Sequence, residues 1–305
     1  MMNFSTSEIS SNRTDYSIIA PISMIFSGTS IIITSFILII VLLKKQLHTV
    51  TRLLICNTCL ASLLYCIVQC INYIYLLLIK SDKSNQSCRW RGYFGYMSIV
   101  AFIYSYVLQV ISRLFFIVFY TKYRWLITYR IHSYLIIFGW TIIFILPLPA
   151  ILTNNIYFRE GELCWVTKEY TLHSFYIIIA DYLIPILLII IMNIIIFIRI
   201  YLSRINTTIQ YNRRRKERDF RLFYNIMISF SVYFLGGVPI MIYMFTDIEF
   251  FYSIGVISVT FAVTMEKLVL IYLDREIRNL LKDYFYQNNI KVTPIIIFNA
   301  APIIQ

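Results

Sequence analysis

The sequence predicts an all-α membrane protein, a seven-transmembrane helix bundle with a short amphipathic eighth helix. Three observations predict it. Of 305 residues, 59% are hydrophobic and 14% charged, against roughly half and about a quarter in a soluble domain; the mean hydropathy is +0.74. The apolar residues gather into seven stretches, each long enough to cross a hydrocarbon core at about 20 residues per span. The basic residues crowd into the connections on one side. A soluble fold of this size has no room to hide so much apolar side chain, which excludes most soluble enzymes. The net charge of +12 then signals charge-sorted topology rather than nucleic-acid binding.

The stretches lie at 17–43, 51–79, 93–119, 133–152, 171–201, 222–246 and 250–273. They leave residues 1–16 as an extracellular N-terminal segment, 17–273 as the membrane domain, 274–286 as an amphipathic juxtamembrane helix and 287–305 as a cytoplasmic tail. The first stretch lacks a preceding basic region and exceeds a secretory h-region, so it reads as a signal-anchor. With the N-terminus outside, 18 Lys and Arg fall inside and 7 outside, so the basic bias favours N-out and C-in. The first outer loop, with Lys80, Lys83, Arg89 and Arg91, runs against that bias. The sequons at Asn3, Asn12 and Asn85 fall outside, where glycosylation is available; Asn206 falls inside.

In the second stretch Cys56, Cys59, Cys66 and Cys70 follow one another at spacings of 3, 7 and 4, which puts them on one helical face. A metal site would need deprotonated thiols in hydrocarbon and has no histidine nearby. Small packing residues on a face between helices are the simpler reading. Cys88, at the outer start of the third stretch, and Cys164, in the second outer loop, both lie on the oxidising side. A disulfide between them would pin that loop over the mouth of the bundle.

The fourth stretch carries Trp140, with Pro147 and Pro149 near its outer end. The fifth carries Asp181 four residues before Pro185, and the sixth carries Pro239. Proline removes a helix hydrogen bond, so Pro239 marks a kink about which that helix can move. After the seventh, Ile277, Leu280, Leu281 and Phe285 form an apolar stripe of a helix lying on the membrane. The three histidines, His48, His132 and His173, fall at loops on both sides, and no repeat is visible. An intramembrane hydrolase, a metal centre, and a channel or transporter are therefore disfavoured, and no cofactor is expected.

Together these landmarks resemble the rhodopsin-like (class A) G-protein-coupled receptors, from the first span to about residue 285. Arg113 follows Cys88 by 25 residues, the family's separation. Trp140, Pro185 and Pro239 stand at family positions, and Leu47-His48-Thr49-Val50-Thr51 matches the first inner turn. Asn57-Thr-Cys-Leu-Ala61-Ser62 resembles the second span's Asn-Leu-Ala-x-Ala-Asp. The resemblance implies an inactive-state pair between Arg113 and Asp219, released when the sixth span swings outward about Pro239. It implies contact of a heterotrimeric G protein with Arg113, Tyr123, Arg214 and Arg215. It also implies a ligand pocket near Arg91, Gly95, Tyr96, Asp181 and Trp165.

The departures matter as much. Ser112 and Leu114 flank Arg113 where the family has aspartate and tyrosine. Ser62 replaces the second-span aspartate, Thr34 the first-span asparagine and Gly237 the sixth-span tryptophan. The seventh-span Asn-Pro-x-x-Tyr becomes Glu266-Lys267-Leu268-Val269-Leu270. Glu266 reads as a carboxylate moved across the bundle from the Ser62 position, holding a proton or a cation. The alternative pairs it with Lys267 or Arg113, or simply protonates it. Gly95 stands where amine receptors carry an aspartate, which disfavours a monoamine. Thr260 stands at the retinal lysine's place, which excludes an opsin. The second outer loop, with Glu160-Gly161-Glu162 between apolar flanks, reads as a hairpin, the form typical of peptide receptors. The expectation is a plasma-membrane receptor for an extracellular ligand, a peptide. The alternative is a receptor-like protein that does not signal.

Overall fold

The computed structural model describes residues 16–43, 49–79, 84–120, 122–153, 155–158, 163–165, 170–205, 210–246, 248–273 and 278, without the side chains of 43, 203–205 and 210–223. Seven helices in it are long and apolar enough to cross a membrane. Exposed positions on the spans are mostly apolar: Ile25, Ile32 and Ile39 on the first span are exposed, as are Ile191, Ile194 and Ile198 on the fifth. With no water in the hydrocarbon, every backbone polar group must be satisfied within its own helix, and helices meet this condition.

The first span is Tyr16–Leu43 and the second Val50–Leu77. The third begins at Asn85 and runs to Leu114, continuing as a wider π-helical turn over Phe115–Phe119. It starts a full two turns before its apolar stretch. Ser84 caps it, its Oγ accepting from Ser87 N at 3.5 Å, so residues 85–92 are helical too. A 3-10 turn, Arg124–Ile127, leads into the fourth span, which breaks between Tyr129–Ile145 and Leu148–Leu152. The break falls at Pro147, whose ring and missing N–H cannot continue the helix.

The fifth span is Thr171–Ile177, a π-helical segment Ile178–Leu183, then Ile184–Ile205. Pro185 cannot donate to the carbonyl of Asp181 four residues back, and the wide turn accommodates that loss at the same place. The sixth helix, Gln210–Thr246, reaches well into the basic inner segment, and the seventh is Glu249–Leu273. The main core joins Tyr65, Phe102, Tyr106, Ile189, Phe230, Tyr233 and Val263, from five of the spans.

Cys88 and Cys164 are joined as a disulfide with their Cα atoms 5.3 Å apart. Cys56, Cys59, Cys66 and Cys70 are free, and among the described residues no cluster could hold a metal ion. The hairpin expected in the second outer loop is not formed by the parts described. Residues 155–158 and 163–165 carry no strand pairing. Phe158 N instead donates to Asn85 Oδ1 at 2.9 Å, and Ile156 is fully buried against the third span. The apolar flanks thus pack together on the third span without strand pairing. The turn at 159–162 and the amphipathic helix at 274–286, Arg278 aside, lie outside the described residues.

Candidate functional site

A cavity of about 40 Å³ opens in the inner half of the bundle, large enough for a water molecule. Its lining includes Thr51 and Thr58 of the second span, Tyr106, Gln109 and Arg113 of the third, Asn225 and Ser229 of the sixth, and Glu266 of the seventh. Polar groups from four spans thus reach the wall, between the apolar side chains of Leu54, Ile55, Ile226, Leu270 and Leu273.

Arg113 sits at the inner end of the third span, 6% exposed. Its Nη2 donates to Thr51 Oγ1 at 3.4 Å. Asp219, Arg214 and Arg215 lie on the sixth helix, but their side chains are outside the described residues, as are Asn3 and Asn12. Tyr123 is exposed at the inner turn, with the Lys122 ammonium 5.4 Å from its ring centroid.

Ser112, at the family's aspartate position, does not turn toward Arg113. It meets His132 of the fourth span, with Oγ 2.9 Å from Nε2. The other ring nitrogen, Nδ1, is 3.1 Å from the Thr128 carbonyl. That carbonyl can only accept, so a neutral ring donates from Nδ1 and takes the Ser112 proton at Nε2. Both residues are buried. Sequence reading placed His132 at a loop and missed this pair, for which no linear signal exists.

Glu266 and Lys267 are 2% and 0% exposed, with Oε2 and Nζ 2.7 Å apart. Of the fates open to Glu266, the structure takes the pair with Lys267. The ammonium also stands 5.7 Å from the Phe102 ring centroid, a cation–π arrangement. Ser62 takes no part: its Oγ donates to Thr58 O on its own helix at 2.9 Å. Gln109 Nε2 donates to Thr58 Oγ1 across to the second span. Trp140 Nε1 donates to Asn57 Oδ1 at 2.9 Å, tying the fourth span to the second.

Gly237 proves to be a complementary vacancy. The Tyr182 hydroxyl from the fifth span occupies the space that a Cβ at 237 would need, and it donates to Phe234 O at 3.4 Å. Tyr182 was not among the expected site residues, although its position beside Asp181 in the wide turn could have suggested it. Pro239 lies within the sixth helix.

Toward the outside, Tyr96 and Trp165 are in edge-to-face contact, centroids 4.8 Å apart, over Gly95. Arg91 stacks on Tyr75 of the second span at 4.3 Å. Asp181 is 3% exposed, and among the described residues neither carboxylate oxygen has a hydrogen-bond partner. Its neighbours include Tyr104 and Tyr176. The structure thus gathers Gly95, Tyr96 and Trp165 at one place.

No individual curated protein matches the chain. The family model for the 7 transmembrane receptor (rhodopsin family) matches residues 34–270, which takes in the disulfide, Arg113, the Ser112–His132 pair and the buried ion pair. The chain therefore belongs to the rhodopsin family of seven-transmembrane receptors, as a multi-pass membrane protein.

Proposed function

We propose that the chain senses an extracellular ligand, a peptide, and promotes nucleotide exchange on a heterotrimeric G protein at the cytoplasmic face. In this reading it lies in the plasma membrane with its N-terminus outside. The observation that carries the reading is the inner cavity into which Arg113, Gln109, Ser229 and Glu266 reach, bordered by Arg113 on one side and by the sixth and seventh spans on the other. The sixth span has a means to move. Pro239 removes one of its helix hydrogen bonds midway, so its inner half can swing away from Arg113. Asp219 is the acid assigned to hold it closed.

The outer face supplies the reception. The disulfide ties the second outer loop to the third span, and Arg91 and Trp165 offer charge and an aromatic surface there, with Asp181 buried near Tyr104 and Tyr176. The test is guanine-nucleotide exchange on purified G proteins by the full chain in lipid, against Arg113→Ala. The expected result is exchange by the native chain and a loss of at least tenfold in the variant. A rival reading, a receptor-like protein that does not signal, draws on the replaced motifs at Ser112 and Lys267. Equal, background exchange by both proteins across the G-protein classes would establish it instead.

A further inference from the structure

The second outer loop packs Trp165 among the helices. Trp165 follows Cys164 of the disulfide, and its indole is edge-on to Tyr96. Its Cη2 and Cζ3 atoms come within 3.5 and 3.8 Å of the point where a Cβ on Gly95 would stand. Asn72 Nδ2 of the second span is 3.6 Å from the same point. The benzo edge of the ring thus rests on bare third-span backbone, beside a carboxamide. One turn outward Gly92 does the same for the loop's backbone: the Cys164 carbonyl is 2.5 Å from where its Cβ would be. Ile156, Phe158 and Ile177 pack into the same cluster.

These contacts make a slot rather than a general apolar surface. Gly95 provides a flat floor with no Cβ, Tyr96 presents a ring edge-to-face, and Asn72 supplies polar atoms at the rim. Such a shape suits a planar ring, since aromatic pairs favour this geometry. The occupant is tethered but not locked. Trp165 is only half-buried, and the disulfide holds the preceding residue, so rotation about its own side-chain bonds can withdraw the indole while Cys164 stays in place.

We propose that the slot between Asn72, Gly95 and Tyr96 is a subsite for a flat aromatic group of the extracellular ligand, closed by Trp165 until the ligand's ring replaces it. This rests on the reading of the chain as a receptor for an external ligand, and it names the chemistry of one ligand group. Exchanging one ring for another keeps the contacts with Gly95 and Tyr96. The barrier to occupancy is the fraction of time the indole is out, which lowers apparent affinity by that fraction.

The test uses the full chain in lipid nanodiscs and 3-methylindole, the side chain of tryptophan as a free molecule. Trp165→Ala is expected to melt several degrees below the native chain. Millimolar 3-methylindole should restore most of that loss and leave the native chain unchanged, whereas methylcyclohexane should restore little. Equal shifts in both proteins, equal rescue by methylcyclohexane, no rescue, or an unaltered melting point in Trp165→Ala would each overturn the proposal. Should Trp165→Ala fail to fold, Gly95→Leu raises the floor with the tryptophan retained. Acrylamide quenching of Trp165 is then expected to rise, measured as the part of the emission lost in Trp165→Phe made on each background. Unchanged quenching overturns the slot. Neither measurement involves a G protein, so its failure and a failure of nucleotide exchange are separate results.

Discussion

Lys267 and Glu266 are chain neighbours on one helix, where successive side chains leave the axis about 100° apart. They meet only because both are long enough to bend toward each other inside the bundle. The pair carries no net charge, so it neutralises the seventh span from within, and the ammonium leans on the Phe102 ring of the third span. A lone charge at that depth costs several kcal/mol to desolvate, and removing one partner of a buried pair is far worse than removing both. Lys267→Met is therefore expected to lower stability by about 3–5 kcal/mol, while Glu266→Gln/Lys267→Met recovers most of it. Chemical denaturation of the native chain, Lys267→Met, Glu266→Gln and the double variant in one lipid or detergent checks this, and additive single effects would contradict the pairing. The sequence marked Glu266 as a displaced carboxylate and left its partner open, because reach and rotamer decide that and spacing does not.

Among the elements, the sixth and seventh spans show how a helix can be both tightly packed and able to bend. Gly236 lets the backbones close until its Cβ position is 2.5 Å from Ala262 Cβ and 2.9 Å from Ser258 O. Ser258 Oγ donates to Gly236 O at 2.6 Å, which ties the two helices one residue after Leu235, whose carbonyl Pro239 leaves without its helix donor. Gly236→Leu must push the two helices apart. Overpacking of this kind costs about 1–3 kcal/mol, expected as a lowered melting temperature together with altered nucleotide exchange. Gly28→Leu is the control: nothing lies within 4 Å of its Cβ position, so the same change there should be silent. Pro239 and the span itself were legible from sequence. The role of Gly236 was not, because a glycine in an apolar run looks the same whether it faces lipid, as Gly28 does, or another helix.

Over the whole molecule, one covalent link joins the outer loop to the bundle. Cys88 is fully buried, and the cross-link closes 76 residues of chain, so it restricts both the unfolded chain and the position of Trp165. Cys88→Ser is expected to cost about 2–5 kcal/mol of stability. It should also raise acrylamide quenching of Trp165, with the reduced native chain behaving alike. A variant that melts and quenches like the native chain would show that packing alone holds the loop. The pair was readable in advance because only two cysteines fall outside the second span, on the side where disulfides form.

The number of spans, their order, the prolines that break or bend them and the disulfide were all determined by the sequence alone. Hydrophobic burial in lipid depends on the composition of a segment about 20 residues long, and that is written linearly. The tertiary structure decided which buried polar group meets which: Ser112 with His132, Glu266 with Lys267, the Tyr182 hydroxyl at Gly237, the Trp165 ring at Gly95. Each of these depends on the rotation of a helix about its axis and on a side chain's reach across a few ångströms. Hydropathy along the chain carries neither quantity, because a stretch in lipid is apolar whichever way its few polar residues turn.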